Sequence, residues 1–300
     1  MANAALTVHQ PGTMMVNQPP SSVIPQQANN DAHLIAMWLH GRPASTARAY
    51  GADIREFLAH ADTGVRGVTV AHVQEYADAI AALKPASRAR KLSSIKSLLA
   101  FAHRVGFVAF NVGAVVRVPT VKNTLAERIV TEGAVHRLLA LETNQRNAAL
   151  LRLTYGAGLR ISEVAGLCWR DMVARNDGGQ ATIYGKGGKT RVVLLPASVW
   201  DAVIALRGEA GPDAPVFLSA KGGALDASQV HRIVKAAAAR AGLPAEFSAH
   251  WLRHGHVSHA LDRGAPAHLV QATVGHASLA TTSRYAHARP GDSSAKYLAL

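Results

Sequence analysis

Three hundred residues, nearly half of them hydrophobic, are enough for two domains that each bury a core. The net charge of +13 and a pI near 10.4 point to a polyanionic partner, nucleic acid first. No apolar run reaches the roughly 18 residues of a membrane span and no basic amphipathic anchor stands out, which sets a membrane aside. Cys168 is the sole cysteine, so no internal disulfide can form and a cytoplasmic setting is expected.

Residues 1–30 carry no Lys, Arg, Asp or Glu and are rich in Pro, Gln, Asn and Ser. That composition predicts a flexible arm, not a secretory signal. From Asp31 to about Gly106 the pattern is helical. Tyr50, Ile54, Phe57 and Leu58 share one face, as do Val73, Tyr76, Ala77 and Ile80, and Leu92, Ile95, Leu99 and Ala102 make a further stripe. A small four-helix domain is expected over 31–114. Its last helix opens with "KPASRARK". Arg88, Arg90 and Lys91, with Lys96 a turn further on, crowd a helix start whose dipole disfavours positive charge. The cluster is therefore read as a phosphate contact, against the plainer reading of a solvated charged face.

Residues 115–128, "VVRVPTVKNTLAER", have no clear period and read as a linker. The positive excess is spread, +5 over 31–120 and +8 over 121–300, which suits a partner held between two domains better than a basic tail. Beyond the linker a second, mainly helical domain runs to 290, opening on Val135, Leu138 and Leu139. It is interrupted by "QATIYGKGGKTRVVLLP", where β-rich runs at 180–184 and 191–195 flank a Gly-rich turn and predict a hairpin. Helices are signalled at about 197–206, 227–241, 249–262, 266–274 and 278–288. Gly264 and Gly275 are expected to stop helices, and Ser248 and Ser278 to cap them. A tail follows at 291–300.

Several segments could carry chemistry. "GKGGKT" resembles a phosphate-binding loop, but the glycine required five residues before Gly188 is Ile183, and a strand-like "RVVLL" follows where a helix is needed. In "SAHWLRHGHVSHAL", His250 and His254 have a zinc-compatible i, i+4 spacing. Arg253 stands beside them with no acidic neighbour, so a metal site is rejected in favour of an anion site. "YGAGLRISEVAGL" sets Arg160 just after a Gly-rich bend, with Glu163 one turn later to orient it.

Taken in order, "GLRISEVAGL", "GKGGKTRVV", "HWLRHGHVSHAL" and "VGHASLATTSRYAH" resemble the tyrosine recombinase (phage integrase) family, and the resemblance covers about 31–290. Gly255 departs from the Ser or Thr usual there, and Trp251 fills a variable position. The resemblance implies a mainly α fold with a small β-hairpin: a SAM-like four-helix core-binding domain and a catalytic domain forming a C-shaped clamp on duplex DNA. It implies a site-specific recombinase that cleaves one strand at a time and exchanges strands through a Holliday junction, with no metal, ATP or other cofactor. By that resemblance Tyr285 is the nucleophile, Arg160 and Arg253 clamp the phosphate oxygens, and His250 and His276 add hydrogen bonds, His250 also helping to take the tyrosine proton. Lys186 protonates the departing 5′ oxygen, Lys189 being the second choice. Glu163 stands behind Arg160. The apolar tail, with Tyr297, Leu298 and Leu300, is expected to dock on a neighbouring subunit in a homotetramer on DNA, in a cytoplasmic, nucleoid-associated setting. The rivals are a type IB topoisomerase-like relaxing enzyme and a DNA-binding architectural protein without catalysis.

Overall fold

The computed structural model describes residues 27–121, 124–185 and 188–286. The expectations for residues 1–26 of the arm, for Lys186 and for the tail fall outside those residues. The chain divides into two compact units between Lys122 and Asn123, inside the stretch read as a linker.

The first unit holds four α-helices among its described residues: α1 (Asp31–Leu39), α2 (Ala44–Ala61), α3 (Val70–Ala79) and α4 (Pro85–Arg104). Each start has a local cause. The Asn30 side chain accepts from the His33 amide at the head of α1, and the Thr69 hydroxyl from the His72 amide at the head of α3. Pro85 opens α4, where its missing N–H is no loss. The predicted stripes are buried: Ile54 and Phe57 from α2, Val73 and Tyr76 from α3, and Leu92, Ile95, Leu99 and Ala102 from α4 form one core with Leu34 and Trp38 of α1.

The second unit is helical around a small sheet. Its helices are α5 (Glu132–Ala140), α6 (Gln145–Gly156), α7 (Ile161–Ala165), α8 (Ala197–Ile204), α9 (Ala227–Arg240), α10 (Ala249–Asp262), α11 (Ala267–Val274) and α12 (Leu279–Ala286). Strands β1 (Met172–Arg175), β2 (Gly178–Tyr184) and β3 (Thr190–Pro196) form an antiparallel sheet in the order β1-β2-β3. The hairpin is β2–β3, with Ile183 opposite Arg191. Strand β1 was not foreseen. Its burial alternates poorly, only Met172 being buried, so "MVAR" gives no period-2 signal.

The sheet's inner face (Ala181, Ile183, Val193, Leu195) packs with Leu150, Leu151 and Leu153 of α6, Val230 and Val234 of α9, and Leu252 of α10 in the main core. A Cβ on Gly179 would meet the Trp200 ring at 1.9 Å, so α8 can lie on β2 only because that residue is glycine. A smaller cluster of Ile129, Val257, Val270, Val274 and Tyr285 stands apart from the main core. Gly275 ends α11 in the left-handed region at φ 67°, as expected of a helix stop. Ser278 Oγ accepts from the Ala280 amide at the head of α12, whereas the Ser248 side chain makes no capping bond to α10.

Candidate active site

The site is built on four pieces of the second unit: the bend before α7, strand β3, helix α10 and the α11–α12 corner. The bend turns on Gly158, at φ 59°. A Cβ there would meet His256 Cδ2 and Val274 Cγ1, both at 2.8 Å, so both the conformation and the space require glycine. Two residues on, Arg160 caps α7 in extended conformation, and Glu163 Oε2 accepts its amide at 2.9 Å.

Glu163 does more than cap. Its side chain is 3% exposed, Oε1 accepts from Arg160 Nη1 at 2.9 Å, and both oxygens accept from Arg191 at 2.9 and 2.8 Å. Burial pushes this carboxyl up, but the Arg191 hydrogen bonds, the Arg160 amide and the two positive charges outweigh it and bring it to about 2. Arg191 was not singled out in the sequence. A signal was present: it occupies the inward phase of β3 with Val193 and Leu195, where a charge needs a partner.

Helix α10 is largely buried and sets His250, Arg253, His254 and Val257 on one face, at i, i+3, i+4 and i+7. Arg253 is 4% exposed and donates to the carbonyls of Gly158 at 2.6 Å and Val274 at 2.5 Å. Arg191 Nε donates to the carbonyl of Thr273 at 2.8 Å. Two guanidinium groups thus satisfy carbonyls at the C-terminal end of α11, where the helix dipole favours positive charge. Burial first, then the neighbouring Arg160, lowers Arg253 to about 10, still charged at neutral pH.

His276 follows Gly275, and its Nδ1 lies 3.0 Å from the hydroxyl of the fully buried Thr282. Its ring stacks on that of Tyr285, with centroids 6.1 Å apart and planes 20° apart. Burial, and then Arg253, Arg160 and Arg191, hold His276 down to about 4, and His250 is lowered by burial, Arg253, Arg160 and Arg128. Tyr285 is 5% exposed, and burial raises its phenol while Arg253 and Arg284 oppose the rise. The ring that meets its hydroxyl is His254, with Nδ1 at 2.6 Å, and not His250. Gly255 shows no tight requirement: a Cβ there would find only ordinary contacts with His259 and Tyr155.

Arg160 lines two grooves. One it shares with Ser162, Ser228, His231, Arg232 and His250, the other with Lys189, Thr190, Arg191, Gly275 and His276. Arg160, His250, Arg253, His276 and Tyr285 are therefore gathered within one unit. Two permanent cations, histidines kept neutral, and a phenol in contact with a histidine are chemically suited to receive a tetrahedral anion beside a hydroxyl able to act as a nucleophile.

The basic residues of α4 have other company. Lys91 is buried and ion-paired with Glu56 and Asp53, Arg90 pairs with Asp53, and Lys96 reaches the Val116 carbonyl. Asp53 is itself 2% exposed, so Lys91 compensates a buried carboxylate. Arg90 keeps 43% of its side chain in solvent, and the Nε of half-buried Arg88 has no hydrogen-bond partner among the described residues.

With fold and site in view, comparison with known proteins is direct. The phage integrase family model matches residues 128–291, and that of the phage integrase N-terminal SAM-like domain matches residues 37–106. The chain belongs to the phage integrase family. Among curated relatives, tyrosine recombinase XerC of Xanthomonas campestris pv. campestris (strain B100) is 35% identical over 211 residues, which span 68% of this chain but 65% of that protein. Tyrosine recombinase XerD of Mycobacterium tuberculosis (strain H37Rv) is 31% identical over 274 residues, 82% of this chain and 88% of that one. The fold is that of a lambda integrase(75-356) dimer bound to a COC′ core site, with TM-score 0.72, 17% identity and coverage of 88% and 95% of the two chains. It is also that of the XerH site-specific recombinase bound to difH, with TM-score 0.62, 21% identity and coverage of 86% and 81%.

Proposed function

We propose that this protein is a site-specific DNA recombinase of the tyrosine type, acting through a 3′-phosphotyrosyl intermediate at Tyr285. The observation that carries the reading is the gathering of Arg160, His250, Arg253 and His276 around a tyrosine whose hydroxyl is hydrogen-bonded to an imidazole. A phosphodiester repels nucleophiles, and its transition state concentrates charge on the non-bridging oxygens. Arg160 and Arg253 stabilise that charge, and the neutral His250 and His276 donate to it. The Tyr285 Oη–P bond forms as the P–O5′ bond breaks, and the 5′ oxygen leaves with a proton from Lys186. Attack by a 5′ hydroxyl from the partner strand reverses the step and exchanges strands through a Holliday junction. The energy of the cleaved bond is kept in the phosphotyrosine, so neither ATP nor a metal is required. Duplex DNA is the substrate. Arg88 and Arg90 are the α4 residues we assign to its phosphates: Arg90 keeps much of its side chain in solvent despite its pairing with Asp53, whereas Lys91 is buried and Lys96 is drawn to the Val116 carbonyl. Four protomers around two sites, in the cytoplasm, complete the proposal.

A DNA carrying two target sites tests the reading. Recombinant joints between the sites are the expected product, whereas supercoil relaxation without joints would assign the protein to DNA-relaxing enzymes instead. The leaving-group role is tested separately. Lys186→Ala is expected to lower cleavage of ordinary DNA by about 10²-fold or more, and to be restored to near wild-type rate by a 5′-bridging sulfur, which departs without a proton. Rescue seen for Lys189→Ala and not for Lys186→Ala moves the role to Lys189.

A further inference from the structure

We propose that His254 is the group that receives the phenolic proton of Tyr285 as its oxygen attacks the phosphodiester. The proposal rests on Tyr285 being the nucleophile. Its basis is position. His254 lies one turn beyond His250 on α10, and among the described residues its Nδ1 makes the one hydrogen bond to the Tyr285 hydroxyl, at 2.6 Å, with ring centroids 5.7 Å apart. The other two imidazoles are placed for other work. His276 engages Thr282 through Nδ1 and lies nearly parallel to the phenol. His250 lines the groove of Arg160, its ring 6.4 Å from that of His254.

The step balances without a further reactant. The Oη–H bond breaks and its proton passes to Nδ1, giving an imidazolium. The Oη–P bond forms and the P–O5′ pair leaves with the 5′ oxygen, protonated by a separate donor. On resealing, the imidazolium returns the proton to the departing phenolate.

The surroundings supply the right protonation state. Facing His254 are His250 and Arg253 on its own helix, Glu127 and Arg128 from the turn at Ala126–Arg128, Glu246 ahead of α10, His276 from the α11–α12 corner, and Tyr285 from α12. Burial, and then His250, Arg128, Arg253 and His276, hold His254 down to about 4, so the ring is neutral at neutral pH, and in its Nε2–H tautomer Nδ1 accepts from the phenol. A phosphodiester seated on Arg160 and Arg253 offsets the positive field. DNA binding therefore raises the basicity of His254 at the moment a base is needed.

The test uses full-length protein and a duplex with a 5′-bridging phosphorothiolate, which removes the leaving-group proton from the kinetics. Single-turnover formation of the adduct is followed from pH 5 to 10. H254N offers an acceptor to the hydroxyl but takes no proton. We expect its rate at pH 7 to fall by about 10²-fold or more and to climb back as pH rises and hydroxide takes over, with DNA affinity unchanged. A rate within about threefold of wild type at pH 7, or the same pH-dependent loss in H250N and not in H254N, overturns the proposal. If H254N fails to fold, H254A is assayed with added imidazole. Restored adduct supports the role, and adduct that is unaffected by the substitution, or absent from folded protein even at pH 10, overturns it. Peptide mapping of the wild-type adduct separates the two levels: attachment at a residue other than Tyr285 ends the parent reading, and attachment at Tyr285 with H254N unaffected ends only this one.

Discussion

Replacing Tyr285 with phenylalanine is expected to abolish the covalent protein–DNA adduct and all strand exchange, and to leave binding to duplex DNA nearly intact. The reason is chemical. Phenylalanine keeps the ring that packs with Ile129, Val257, Val270 and Val274, and removes only the oxygen that would join phosphorus. The lost hydrogen bond to His254 is replaceable by water at an imidazole that is not fully buried, so the melting temperature should change little. A suicide substrate resolved on a denaturing gel measures the adduct, and its persistence in Tyr285→Phe would falsify the assignment.

The second large effect is expected at a buried residue behind Arg160. Glu163→Gln removes the charge that holds Arg160 and Arg191, leaving two guanidinium groups close together with one neutral amide between them. A carboxyl brought from its ordinary 4.5 to about 2 contributes about 3 kcal/mol of stability at neutral pH. Because the folded value lies below the unfolded one, that contribution is complete above pH 4.5 and disappears as pH falls toward 2. Glu163→Gln should therefore unfold earlier at pH 7 by about 3 kcal/mol in urea titration and show a shallower acid limb than wild type. Its cleavage rate should also drop by about 10-fold to 10²-fold, since a displaced Arg160 no longer meets the phosphate oxygens. Equal acid limbs in the two proteins would remove the carboxylate from this role.

Much of this was legible in the residues because several functional groups sat at helix boundaries with their own local signals. Arg160 followed a Gly-rich bend, and Gly158 is strained for any other residue there. Gly275 announced the end of α11 and so the corner that carries His276. The helix periods of α2, α3 and α4 gave their buried faces directly. What sequence reasoning missed depends on contacts between distant segments. The partners of Arg191 are Glu163, 28 residues away, and Thr273, 82 residues away. The i, i+4 pair His250 and His254 was weighed as a metal motif, and only the fold brings Tyr285, 31 residues on, against the second of them. In α4, a basic run says nothing of whether its charges face outward. The buried Asp53 captures Lys91, and no local pattern reveals that.

The cluster around Tyr285 is small and separate from the main core of its unit. Free energies of local opening range from near zero to that of global unfolding, and they track how much buried contact a segment shares with the rest. The α12 helix, fastened by one five-residue cluster, the Thr282–His276 contact and the Tyr285–His254 bond, belongs at the low end of that range. Its excursions need not disturb the sheet, α6 or the arginines anchored on Gly158 and Val274. On that principle α12 is expected to open locally more readily than the frame of α6, the sheet and α10 that holds the arginines.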